Sequence, residues 1–123
     1  MRTLTLLAVF CLYSAGPLAG VSVLSHEEMV DIVWDSEIWP IIQSHFPGAS
    51  AEEIKKARAF AYGGSVIQDV GYYPLGNQEF TNYVHYIRTG DFVAWMIREA
   101  RTRNELAFAL GALSHYAADI HGH

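Results

Sequence analysis

The chain has 123 residues, of which 51% are hydrophobic and 17% charged. This is a single-domain length with enough apolar material for a packed core, which excludes a disordered chain. The formal net charge of −5 makes the chain a poor counterion for phosphate backbones and weighs against a general nucleic-acid binder.

The first 20 residues, MRTLTLLAVFCLYSAGPLAG, differ from the rest. Arg2 is their one charge. An apolar run from Leu4 to Tyr13 follows, and small residues with a proline close the segment. That order predicts a secretory signal peptide over residues 1–20, cleaved after Gly20, and a secreted or periplasmic protein beginning at Val21. An uncleaved anchor is the alternative, although the run is short for a membrane span. Cys11 is the single cysteine and lies inside the segment. The domain over residues 21–123 therefore has no disulfide or thiolate chemistry, and a metal site in it must use histidine and carboxylate.

The stretch SHEEMVDIVWDSEIWPIIQSHF predicts a helix. Met29, Ile32, Val33 and Ile38 keep helical spacing, and Ser25 with Glu28 forms a capping-box pattern. Pro40 should kink or interrupt this helix, and Pro47-Gly48 should end it. Ser50 with Glu53 predicts the start of a second helix, which runs to the glycine pair Gly63-Gly64. Gly71, Pro74 and Gly76 predict a loop. A helix over about 78–87 follows, then one capped by Asp91. A last helix begins near Thr102 or Asn104 and carries ELAFALGALSHYAAD. No alternating strand pattern is present. The expected fold is all-α, a multi-helix bundle of roughly five helices.

His115, His121 and His123 crowd the end of the sequence, with Asp119 among them. His115 and Asp119 are four residues apart and share a helix face, so both can reach one zinc ion at ~2.0–2.2 Å. A simple His–Asp hydrogen bond is the competing reading. The apolar surroundings of this helix favour the metal, because a carboxylate in a bundle interior is costly unless it is paired or ligating. Asp69, His85 and His26 are further candidates, at a loop edge, within an apolar helix and near the domain start. His45 sits at a helix end, where a histidine suits the dipole. His121 faces away from Asp119 on a continuing helix.

The ordered blocks SVLSHEEMVD, YGGSVIQDVGYYPLG, NYVHYIRTGDF and FALGALSHYAADIHGH resemble the bacterial zinc-dependent phospholipase C family, whose superfamily includes single-strand zinc nucleases. The resemblance covers Val21 to His123. It implies an all-α bundle with a cluster of up to three zinc ions in its core. By resemblance, Asp69, His85, His115 and Asp119 hold one zinc, and Asp119 bridges to a second, which His26 and the free α-amino group of Val21 complete. His123 matches the first ligand of a third. The remaining ligands of that third site lie downstream in the family. The chain is thus expected to be C-terminally truncated and to hold two zinc ions.

The implied activity is hydrolysis of phospholipids or another phosphodiester by metal-activated water, expected in full only with the C-terminal part that completes the third site. Asp69 is the residue expected to orient or deprotonate that water, and peripheral membrane contact is expected with it. Tyr72 and Tyr73 are candidates for lining the substrate cleft, where an aromatic face can hold a choline-type cation; packing beside Pro74 is the plainer reading of both. Two other functions are open, a non-catalytic zinc-binding fragment and a single-strand nuclease. A nuclease would need base-stacking aromatics and a cationic track. No stable nucleic-acid partner is expected of this acidic chain.

Overall fold

The computed structural model describes the backbone of residues 17–121 and the side chains of residues 23–121. Most of the expected signal peptide, together with His123, lies outside the described residues. Within them the chain is all-helical, with six α-helices and no strand. These are α1 (Pro17–Val33), α2 (Trp39–His45), α3 (Ala51–Ser65), α4 (Gln78–Asn82), α5 (Thr89–Glu99) and α6 (Arg103–His121). None of them is long and apolar enough to cross a membrane.

A π-helical turn, Trp34–Ile38, joins α1 to α2 without a break. The core stripe on this long helix is Val30, Trp34, Ile38 and Ile42, all buried. A strict four-residue repeat drifts around a regular α-helix, which turns every ~3.6 residues. The wide turn absorbs that drift and keeps all four on one face. It also accommodates Pro40. The Trp39 N–H donates to the Trp34 carbonyl five residues back, so the ladder has already widened where proline supplies no donor. Pro40 therefore changes the register of the helix without ending it. The apolar face expected from Met29, Ile32, Val33 and Ile38 is displaced accordingly, since Ile32 is exposed. Ser25 lies inside α1, which begins at Pro17, and is not its cap.

Helix α3 starts as its sequence predicts. Ser50 Oγ accepts from the Glu53 N–H at 3.3 Å, and Glu53 Oε2 accepts from the Ser50 N–H at 2.8 Å. Its end differs from expectation, because α3 runs through Gly63-Gly64 to Ser65. Gly64 is there for packing. A methyl group on it would overlap the backbone of Phe108 in α6, and one on Gly111 would overlap the backbone of Ala61 in α3. The two helices approach through these reciprocal bare positions and form the largest contact in the molecule. Ala57, Ala61, Leu106, Ala107 and Leu110 fill the space between them and the α1–α2 stripe.

Helix α5 begins at Thr89, and Asp91 lies in its first turn, paired with Arg88 rather than capping. At the start of α6, Thr102 Oγ1 accepts from the Glu105 N–H at 3.2 Å and Glu105 Oε2 accepts from the Thr102 N–H at 3.0 Å, a capping box. The buried face of α6 changes along its length, from Leu106 and Leu110 in the apolar core to His115 near its end.

Candidate metal centre

Four elements meet where α6 approaches its end. Helix α1 contributes His26 and α6 contributes His115 and Asp119. A 3-10 turn, Ile67–Tyr72, holds Asp69, and a π-helical turn, Tyr83–Ile87, holds His85. Wide turns of this kind recur at functional sites. His115 is 1% exposed. Its Nδ1–H donates to the Ser65 carbonyl at 2.6 Å, a contact that the close approach of α3 and α6 makes possible. His85 Nδ1–H donates to the Thr81 carbonyl at 3.1 Å. Since a carbonyl only accepts, the Nδ1 of each ring carries a proton, and in the neutral form Nε2 of each ring offers a lone pair that faces inward. Backbone carbonyls orient metal-ligating histidines in the same way.

What these lone pairs meet is more of their own kind. The two Nε2 atoms lie 3.2 Å apart. His85 Nε2 is 3.1 Å from Asp69 Oδ1 and 3.6 Å from Asp119 Oδ2, and His115 Nε2 is 3.1 Å from Asp119 Oδ2. A shared proton satisfies one such pair at a time, while a central cation satisfies all of them. Two ligands of a tetrahedral zinc ion stand ~3.3 Å apart, and two imidazoles on one such ion place their ring centres ~5.2 Å apart. The His85 and His115 centres are 5.2 Å apart. Asp69, His85 and His115 thus form one group that could hold a metal ion, and the two imidazoles fit zinc in their spacing and ring geometry.

His26 occupies the other side. Its ring stacks on His115 with centres 3.7 Å apart and planes 14° apart. Although His26, His115 and Asp119 are close enough to form a metal-binding group, stacked rings do not radiate from one tetrahedral ion. His26 Nε2 instead faces Asp69 Oδ2 at 3.8 Å and Asp119 Oδ1 at 3.9 Å, distances too long for hydrogen bonds. Each carboxylate thus turns one oxygen toward His85 and the other toward His26. Burial lowers the His26 pKa, and the neighbouring His115 lowers it further, against the pull of Asp69 and Asp119. The neutral ring is favoured, which is the ligating form. His26 Nδ1 is buried without a partner.

The cleft above these groups has a volume of about 360 Å³ and is walled by Tyr72, Tyr86, Thr89, Tyr116 and Ile120. Tyr72 and Tyr86 meet at their hydroxyls, 3.4 Å apart, and this contact with burial pushes Tyr72 up to about 12. Tyr73 is not among the lining residues. His45 lies away from the cluster, its Nδ1 bonded to the Ile41 carbonyl, and His121 is exposed. Val21 lies within α1, five residues before His26. Sequence reasoning missed Ser65 and Thr81. Thr81 was legible as the residue four before His85. The Ser65 contact spans 50 residues and leaves no local signal.

Thr81 has a second bond. It is buried, and its Oγ1 accepts from the Gly71 N–H at 2.6 Å. One residue thus ties the turn that holds Asp69 to the helix that holds His85.

Neither a curated protein nor a solved structure matches the chain. A family model described as zinc-dependent phospholipase C matches residues 25–123, and that span contains every residue of the cluster. The chain belongs to the zinc-dependent phospholipase C family.

Proposed function

We propose that the protein is a zinc-dependent hydrolase of phospholipid phosphodiesters. The observation that carries this reading is the convergence of two carbonyl-oriented imidazoles and two carboxylates at the spacing of zinc ligands. His85, His115, Asp69 and Asp119 would hold one ion, and His26 with the outer oxygens of both carboxylates would hold a second. When bound, zinc polarises a phosphoryl oxygen and lowers the pKa of water so that hydroxide is available near neutral pH.

The chain's own residues do the rest. Asp69, at the mouth of the cleft with an oxygen toward each side, orients the attacking water and accepts its proton. Ser65 and Thr81 fix the two imidazoles, so neither ring has to reorient during turnover. Tyr72, Tyr86 and Tyr116 present apolar faces that exclude bulk water from the phosphate and suit a headgroup and glycerol backbone. No lysine or arginine lines the cleft among the described residues. That favours a lipid over a single strand of nucleic acid, which needs a cationic track. Export after cleavage behind Gly20 completes the reading. It would free the Val21 amino group on the helix that carries His26.

The test is zinc content together with turnover of a soluble chromogenic phosphocholine ester. Wild type should bind zinc and turn the ester over. Asp69→Asn should lose zinc affinity, since Asp69 is one of the ligands, and its turnover per bound zinc should fall by about 100-fold or more, the usual range for removing a positioned general base. Wild-type turnover that persists unchanged after chelation of zinc would refute the reading.

A further inference from the structure

The wall of the cleft continues into a turn that the fold does not explain. Tyr72 lines the cleft, and Tyr73–Gly76 follows directly as a four-residue turn closed by the Gly76 N–H on the Tyr73 carbonyl at 2.8 Å. Pro74 and Leu75 are its central residues. Leu75 has φ 68°, the only positive φ on a non-glycine among the described residues. That position of a proline-led turn takes glycine or asparagine, because a Cβ is crowded there. Leu75 is also fully exposed, and Tyr73 beside it is substantially so. An apolar side chain is thus held at a tip where both sterics and hydration disfavour it. A strained residue kept at such a place points to a role outside the fold.

We propose that the Pro74–Leu75 turn is an anchor that inserts into the surface of a zwitterionic phospholipid aggregate and seats the metal cleft against it. The proposal rests on the phospholipid reading above. Three observations select this partner. From Val70 to Asn77 the chain, VGYYPLGN, carries no acidic or basic residue. The nearest cation along the neighbouring segment, Arg88, is held by Asp91 at 2.5 Å. The chain as a whole has a net charge of −5. A neutral tip on an acidic protein suits a surface without net charge and is repelled by an anionic one. The tip is also continuous with the cleft wall through Tyr72 and Tyr73. A bilayer that received Leu75 would therefore lie beside the site where a headgroup has to enter. Tyr72 and Tyr73, which precede the tip, suit the interfacial zone, with rings in the apolar layer and hydroxyls in the headgroups.

The test uses Leu75→Asn, which removes the apolar side chain while supplying a residue that accepts positive φ. The zinc-loaded full chain is mixed with phosphatidylcholine vesicles, and the bound fraction is read by sedimentation beside the melting temperature and turnover of the soluble ester. Wild type should bind, and the variant should partition about tenfold more weakly, the scale of burying one leucine. The variant's melting temperature should be equal or higher, and its turnover of the soluble ester unchanged. Equal partition of the two proteins, or no binding by wild type, overturns the anchor. A lower melting temperature for the variant overturns it too, since Leu75 would then serve the fold. So does wild-type self-association that the variant abolishes, which would make the tip a contact between copies. Vesicle binding without ester turnover refutes the hydrolase and leaves the anchor standing.

Discussion

Two polar clusters flank the bundle, and both draw on α1. In the first, Asp31 accepts from the Tyr62 hydroxyl and from the Arg58 guanidinium, and Arg58 Nε donates to Tyr62 Oη at 3.0 Å. The Tyr62 bond first, and Arg58 second, hold the Asp31 carboxyl below its ordinary value. Asp31 Oδ1 has two donors, and the one negative charge has its cation. In the second, around His115, three imidazoles and two carboxylates meet with no lysine or arginine lining the cleft among the described residues. The first cluster is complete in itself, as ion pairs that serve the fold are. The second has acceptors in excess, and its two His/Asp groups could hold metal ions. An unbalanced donor count, more than burial or histidine content, separates a ligand site from a structural network.

Removing one acceptor from the unbalanced cluster should have the largest effect. His115→Ala should weaken zinc binding by more than about 100-fold, beyond the range for loss of a residue that only orients a ligand. It should also abolish the rise in melting temperature that saturating zinc gives the wild type, since an ion bound only by the folded state adds its binding energy to stability. Calorimetry with and without zinc reads both. A variant with full zinc affinity would remove the distinction between the clusters.

A smaller effect is expected from Gly64→Ala, which leaves every ligand in place. The added methyl meets the Phe108 backbone, and overpacking of this kind costs about 1–3 kcal/mol. Because the same helix approach sets Ser65 against His115, zinc affinity should fall along with stability in chemical denaturation. A drop in stability alone would show that the His115 contact does not depend on helix spacing.

The complete cluster should be the least sensitive. Asp31→Asn should cost under about 1 kcal/mol, as exposed ion pairs do, and leave zinc stoichiometry unchanged. The folded-state pKa of Asp31 is lowered from 3.8. Its contribution is therefore present in full above pH 3.8 and fades as pH falls through the lowered value. The stability gap between wild type and Asp31→Asn should close below that pH and hold steady above it. A gap that widens on acidification would contradict the pairing.

The helical class was legible from periodicity, and the start of α3 from Ser50 and Glu53, because those signals are local. His115 and Asp119 were legible as a pair because both lie on one face of one helix. The glycine pair misled, since a glycine that admits a neighbouring backbone and a glycine that ends a helix look the same in one dimension. The apolar face of α1 misled because a 3.6-residue rule was applied across a stretch that follows a four-residue one. The orienting role of the Ser65 carbonyl was beyond reach, because a backbone carbonyl has no letter of its own.

The wide turn at Trp34–Ile38 bears on how this chain can change in length. It amounts to one residue inserted into a regular helix, and Pro40 sits just past it. The insertion and the proline are therefore a matched pair. Losing a residue from the turn alone would return Pro40 to a tight ladder, with its ring against a carbonyl and a bond missing. Losing both together would restore an unbroken helix with its two halves in nearly the same phase, because the ~100° lost with one residue offsets the drift that the wide turn absorbs. A single-residue deletion at an exposed position of the turn such as Asp35 should thus be disfavoured while Pro40 is present and tolerated once Pro40 is replaced as well.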